Sequence, residues 1–470
     1  MEFYSILIGA TVIVAALALV LYSRRRDAGL VLGMAGLYYW TLFGAWSLVL
    51  DKSGGFSGKQ YQYLEHKLFP VMLDRNYMLT LALYSGFLIL IEITILVCLS
   101  SRRPRPVARL VLRHDLILLV GFLAAAASFL IIRNRLADAW GLHTSAYLYT
   151  RLQPSQWFTL HQVLNRVALI PPAIGLAVLA AGRHSRDFAN VTSPYTVPGY
   201  MLLAAAMAAF TLVLGNKNEV LTALLTGFLA YVASARQPNW IKLGLVMTAG
   251  LWFLSTIDFF RGAPLQDLSE ILTERLHQTT HFMQFLGSSN EAFAAHFSLY
   301  GVLASGTPPR FGYSLYSLAC SLIPRVLWRD RPPDIYIYYV EHVGAIQNQG
   351  YSIHHATGWY LNFGYPGIAL GAIVLGLLWV WCLNARQRIG PRTQPLYRMW
   401  ATIAPWVFVA GLPPLIRAGP EGYKGMFIES GLVPVCALAI ACRGARRRRD
   451  SPGRKPRLLL LQSGVEARAR

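Results

Sequence analysis

Apolar residues run through this chain in long blocks broken by short polar segments. The blocks lie at roughly 4–22, 29–50, 77–99, 115–132, 160–181, 198–214, 219–234, 243–260, 364–384, 399–415 and 426–442. Each is about long enough for a helix to cross a ~30 Å hydrocarbon core. Backbone amides in lipid need internal partners, so the pattern predicts an all-α, polytopic transmembrane bundle of about 11 spans. A twelfth, re-entrant segment near 312–328 is an alternative. The chain then divides into spans one to eight over 1–260, a large outer loop over 261–363, spans nine to eleven over 364–442, and a basic tail over 443–470.

Composition fits that class: 55% of the 470 residues are hydrophobic and only 14% are charged. The formal charge of +21 raises nucleic-acid binding as a reading, but its placement argues against one. Basic residues gather in alternate connections: Arg24–Arg26, Arg102–Arg113, Arg183 and Arg186, Arg236 and Lys242, Arg386–Arg398, and Arg443–Arg449. With the N-terminus outside, all of them fall on the cytoplasmic side, as the positive-inside rule requires. The first apolar run has no basic residue before it and three after it, which is a retained span and not a secretory signal. Cys98, Cys320, Cys382, Cys436 and Cys442 form no CxxC pair and suggest neither a disulfide framework nor a metal site.

Arginines on the outer side need a reason. Those of the long loop are Arg261, Arg275, Arg310, Arg325, Arg329 and Arg331, with Arg417 in the last outer loop. Guanidinium forks bind phosphate oxygens bidentately and stay charged, so such a cluster suits a lipid-linked pyrophosphate. The competing reading is that single arginines reach lipid headgroups or pair with Asp258, Asp267 and Asp330. It explains least well the stretch from Ile323 to Pro333, where Arg325, Arg329 and Arg331 lie among prolines. Lys217 sits beside Glu219 at a tight outer turn, where Asn218 reads as a helix N-cap.

Histidines offer bases near working pH, and His354 and His355 precede the entry to the ninth span. Against that stands an interfacial histidine bonded to backbone. Glu291 and His296, five apart, are a weaker acid/base pair, and Glu274, His277 and His281 share a helical face that favours an amphipathic helix over a metal site. Glu92 lies in mid-span and pairs with Arg166 or marks a proton path. Aromatics crowd the outer loops, Tyr313 and Trp359 among them, as an interfacial belt or as sugar platforms. No nucleotide-binding motif is visible, so any driving force must arrive with the substrate.

Three stretches then carry a resemblance: Tyr313-Ser-Leu-Tyr316, Ile323-Pro-Arg-Val-Leu-Trp-Arg-Asp-Arg-Pro332, and Gly358-Trp-Tyr-Leu-Asn-Phe-Gly-Tyr-Pro-Gly367. Together the chain resembles the Wzy-type oligosaccharide repeat-unit polymerases. At motif level the likeness covers about 311–367 and, more loosely, 214–235. It departs at Asn216-Lys217-Asn218, where a serine/arginine turn is more usual. The resemblance implies a metal-independent, cofactor-free glycosyltransferase of the bacterial inner membrane, with periplasmic N-terminus and cytoplasmic C-terminus. It would join undecaprenyl-pyrophosphate-linked oligosaccharides at the periplasmic face, beside a chain-length regulator and a flippase, with no nucleic acid. Arg325, Arg329 and Arg331 match the family's basic stretch and would hold pyrophosphate; Arg310, Arg261, Lys217, Arg417 and Tyr313 complete the expected binding set. His354, His355 and Glu291 are the acid/base candidates. An O-antigen ligase-like enzyme and a flippase for lipid-linked sugars remain the alternatives.

Overall fold

The computed structural model describes residues 2–52, 74–100, 109–138, 157–182, 185, 187–215, 217–235, 237–260, 267, 269–270, 273–274, 291–323, 327–344, 352–390 and 393–444. Among them, ten helices are long and apolar enough to cross a membrane, and Asn218–Ser234 is a shorter apolar helix. The chain is an all-α, multi-pass membrane protein.

In order, the helices are α1 (Glu2–Arg25), α2 (Ala28–Lys52), α3 (Arg75–Cys98), α4 (His114–Asp138), α5 (Phe158–Ala180), α6 (Thr196–Leu214), α7 (Asn218–Ser234) and α8 (Trp240–Phe260). Shorter helices follow: α9 (Glu291–Ser305), α10 (Tyr313–Ser321), α11 (Ile335–His342) and α12 (His355–Phe363). Then come α13 (Tyr365–Ala385) and α14 (Pro395–Ile416). The last, α15, spans Gly422–Ile440. Of the segment near 312–328 proposed as a twelfth, re-entrant element, the described residues form the nine-residue helix α10, which is shorter than a span.

Contacts at the helix ends give direction to the bundle. The Phe3 and Tyr77 rings stack with centroids 6.2 Å apart, while Arg24 donates to the carbonyl of Leu96 at 3.1 Å, so α1 and α3 run parallel with α2 returning between them. One end of the bundle, the basic end, joins Arg25 to Asn384 at 3.2 Å and pairs Arg386 with Asp187. The opposite end holds Asp74, the Gly215 turn and the start of α15.

The basic end also carries a small sheet for which the sequence gives no sign. Leu110–Arg113 (β1) pairs in parallel with Phe188–Val191 (β2), Leu110 opposite Phe188, and antiparallel with Cys442–Gly444 (β3), Leu112 opposite Cys442. Strands of three or four residues are too short for alternation to stand out beside apolar helices.

Burial ranks the spans. The span α14 has 83% of its apolar window buried and α1 only 22%, so α14 forms the axis and α1 faces lipid. Close approach of backbones is bought with small residues: a Cβ on Gly33 would lie 2.5 Å from the fully buried Trp379 ring, and one on Gly376 would lie 2.8 Å from Thr94.

Candidate functional site at the Arg417–Lys424 turn

The turn between α14 and α15 is where the chain's polar residues meet. Arg417 donates to Asn218 Oδ1 at 3.2 Å, and the carbonyl of Arg417 accepts from the Ile353 amide at 3.3 Å. The sequence reading of Asn218 as an N-cap is therefore corrected. Lys217 holds the cap position of α7 without a side-chain cap bond, and Asn218 serves Arg417 instead.

Three histidines pack under this turn, all fully buried. His355 receives the Trp359 indole N–H on Nε2 at 3.0 Å, which makes Nδ1 the protonated nitrogen, and Nδ1 donates to the Gly419 carbonyl at 2.9 Å. The Tyr423 hydroxyl lies 3.0 Å from the same Nε2. His354 caps α12: its Nδ1 accepts from the Ala356 amide at 3.1 Å, and Nε2 lies 3.2 Å from Thr41 Oγ1. His296 donates from Nδ1 to the Thr41 carbonyl at 2.7 Å and has the Tyr77 hydroxyl 2.9 Å from Nε2. Ser298 and Thr357 hydroxyls join at 2.8 Å between α9 and α12.

Burial lowers the basicity of all three rings. It brings His296 and His355 down to about 4 and holds His354 well below the ordinary 6.5, with the other two histidines adding to the effect. These rings are neutral at physiological pH, and every ring nitrogen is occupied. In this arrangement they position the chain around them.

A carboxyl that the sequence did not single out has the opposite character. Glu421 Oε1 accepts from the Ile335 amide at 3.0 Å, tying the turn to α11. Its other oxygen is buried and has no hydrogen-bond partner among the described residues. Burial pushes Glu421 up to about 8 against its backbone hydrogen bonds, with Asp334 adding to the rise. Tyr313 is within electrostatic reach of Glu421, Asp334 and Arg310. The Arg310 guanidinium stands 4.0 Å over the Tyr313 ring and 5.3 Å from that of Tyr338, a cation–π arrangement. Tyr313 and Tyr338 are held in turn by the carbonyls of Pro333 and Pro308, at 3.0 and 2.8 Å.

The third motif of the sequence builds this region. A Cβ on Gly358 would come within 2.7 Å of both Gly419 Cα and Pro420 Cδ, so only glycine lets α12 meet the turn this closely. Asn362 accepts from the Ser314 amide at 2.9 Å and donates to the Gly358 carbonyl at 2.7 Å, joining α10 to α12. Gly364 breaks α12 from α13 at φ 65, ψ −148, a conformation open essentially to glycine.

On the other side of the turn lies an ion network. Arg166 pairs with Glu429, lies 3.7 Å from Glu219, and Lys424 reaches Glu429 at 3.3 Å. Glu429 sits in a π-helical stretch, Gly425–Leu432, a local rewinding frequent at functional sites. This overturns the expected Glu92–Arg166 pair. Arg166 is committed to Glu219 and Glu429, while both oxygens of the buried Glu92 have no partner among the described residues.

The remaining expected residues divide. Arg331 donates to the carbonyls of Ser321 and Ile323 at 3.1 Å each, so it knots its own loop, and Arg329 is exposed. Glu291 is the first residue of α9. Arg325, Arg261, Arg275, His277 and His281 lie outside the described residues. No group of three metal-ligating side chains occurs among the described residues. Glu421 was missed, and Tyr338 and Asn362 were seen only as an outer-loop aromatic and a motif residue; their roles depend on partners 86, 30 and 48 positions away. No protein-family model matches the chain, and no curated protein or solved structure matches it either.

Proposed function

We propose that this protein is a metal-independent glycosyltransferase that polymerises undecaprenyl-pyrophosphate-linked repeat units at the periplasmic face of a bacterial inner membrane. The observation that carries the reading is Glu421. It is a carboxyl with one oxygen fixed and one free, titrating near working pH, beside the Arg310–Tyr313–Tyr338 stack and on the same turn as Arg417. In the reaction, the ionised Glu421 takes the proton of the acceptor sugar hydroxyl. The oxygen then bonds to the anomeric carbon of the growing chain, and the lipid pyrophosphate leaves with the bonding pair. A base matched to the ambient pH contributes about 10²–10⁴-fold. Fixed arginines stabilise charge on the departing phosphate, with Arg310 and Arg417 the described candidates and Arg325 expected with them. The buried histidines hold this turn in register, a role that moves the base from His354 or His355 to Glu421.

The test is a deletion strain complemented with the wild-type chain or with Glu421→Gln, its surface glycan resolved by size. Single repeat units that reach the periplasm without forming long chains, in both the deletion and the Gln strain, would support the proposal. Long chains at wild-type level with Glu421→Gln would remove Glu421. Long lipid-linked polymer left unattached in the deletion strain would point to a ligase.

One observation favours a second reading. The Arg166–Glu219–Glu429–Lys424 network sits inside the bundle beside a π-helical stretch, as a transporter for lipid-linked sugars would have it. On that reading, repeat units accumulate on the cytoplasmic side of the deletion strain.

A further inference from the structure

The basic end of the bundle holds a cavity that the proposed reaction does not use. It measures about 460 Å³ and is lined by the α1–α2 turn, the C-terminal ends of α7 and α13 and the middle of α14. Arg25, Arg26 and Arg386 all line it. Leu229 and Val409 belong both to this cavity and to a second of about 430 Å³, which continues between α2, α7, α8 and α14. The second is apolar, bounded by Gly36, Trp40, Phe228 and Leu412 among others. A cationic chamber that opens into an apolar groove has the shape of a lipid: charged at one end, hydrocarbon at the other.

The arginines are arranged by more than topology. Arg25 is steadied by Asn384, and Arg386 by Asp187. Asp27, which also lines the cavity, directs Oδ1 to the amides of Gly29 and Leu30 at 2.9 and 3.3 Å, so its charge is turned onto the N-terminus of α2. Arg26 is the exposed member, and among the described residues it is the only non-glycine with positive φ, at 49°. Its amide closes α1 by donating to the Tyr22 carbonyl at 2.6 Å. Glycine is the usual residue at such a left-handed helix terminus, because it takes the conformation without steric cost. An arginine held there against its backbone preference, over a cavity lined by two more arginines, is an outlier of the kind that marks function.

We propose that the two cavities together bind one anionic membrane phospholipid. Its headgroup phosphate lies among Arg25, Arg26 and Arg386, and one acyl chain follows the groove past Leu229 and Val409. Guanidinium forks match phosphate oxygens, and basic pockets between membrane helices hold anionic headgroups. The site lies at the opposite end of the bundle from Glu421 and does not rest on the glycosyltransferase reading.

Two substitutions separate binding from folding. Arg26→Gly removes the charge and suits the backbone. Gly244→Leu fills the groove: Gly244 lines it, and a Cβ there meets nothing within 4 Å. The full-length protein in detergent is titrated with phosphatidylglycerol and with phosphatidylcholine of the same acyl chains, and retained lipid is counted by native mass spectrometry. Phosphatidylglycerol is expected to be retained in preference. Arg26→Gly should weaken its retention about fivefold, the worth of roughly one basic residue at an anionic membrane surface, with a melting temperature equal to or above wild type. Gly244→Leu should weaken it as well. Equal retention of the two lipids, or unchanged phosphatidylglycerol retention in both variants, overturns the proposal. So does displacement of the lipid by millimolar inorganic phosphate, which would mean a soluble-anion site.

Discussion

His355 Nδ1 donates its proton to the carbonyl oxygen of Gly419 across 2.9 Å, joining residues 64 positions apart in the chain. The bond fixes the turn that carries Arg417 and Glu421 against the helix that carries Trp359 and Asn362. Burial keeps this histidine neutral against the pull of that bond, and protonating Nε2 would abolish the acceptor that Trp359 needs.

Acidification should therefore loosen the protein. In the unfolded chain an imidazole takes its proton near 6.5, whereas folded His296 and His355 take theirs near 4. Between those values the unfolded state binds more protons, so their contribution is fully present above about 6.5 and is lost as pH falls towards 4. Each such group changes stability by about 1.4 kcal/mol per pH unit in the window. Thermal unfolding in detergent, followed at pH 7.5, 6 and 5, should show a falling midpoint, and His355→Ala should flatten the fall. A midpoint independent of pH would contradict the neutral-histidine account.

Glu421 predicts the opposite limb in activity. Its ionised form must act, and its carboxyl titrates at about 8, so the rate should climb about tenfold per pH unit below that value and level off above it. Glu421→Gln should lose about 10²-fold or more in chain extension while the protein still inserts and purifies normally. If Glu421→Gln extends chains normally, Glu421 is not the base.

Gly358→Ala is expected to act as a large lesion from a small change. The added methyl meets the backbone at Gly419 and the Pro420 ring, which cannot yield as a flexible side chain would. Overpacking of this kind costs about 1–3 kcal/mol. The melting temperature should fall, and chain extension should fall with it because Glu421 shares the displaced turn. A neutral Gly358→Ala would mean that α12 and the turn are not in contact.

Arg166→Ala takes from Glu219 and Glu429 the guanidinium they share, leaving Lys424 at Glu429. Removing one partner of a buried pair costs about 3–5 kcal/mol. Arg166→Ala with Glu429→Ala should cost less than the sum of the single changes, and a double-variant cycle on thermal stability measures the difference. Strict additivity would show that the pair does not interact.

Much of the bundle was legible because lipid leaves so little choice. A run such as 77–99 must be a helix, and it is, from Arg75 to Cys98. Even Asn218–Ser234, only 17 residues long, stood out between its polar turns. The site was legible only in fragments. Gly358, Asn362 and Gly364 lie in a motif that attracts notice, and each has a clear task. Glu421, in Ala418-Gly-Pro-Glu-Gly422, reads as a solvated outer loop; its burial and its bond to the Ile335 amide arise from a partner 86 positions away. Arg166 and Glu429 are 263 positions apart, and no local pattern could have paired them in preference to Glu92.

The three-stranded sheet has a bearing on how the protein is made. Its middle strand, β1, is contributed early in the chain, whereas β3 comes from residues 442–444. During synthesis β1 therefore waits with one edge open until the final span has entered the membrane, and only then is it closed by Cys442–Gly444. The clasp on the bundle follows α15 in the chain, so it is translated after that span. A chain that broke off between α15 and Cys442 would carry its earlier spans with one edge of β1 unpaired, the kind of open strand edge that invites association with other chains.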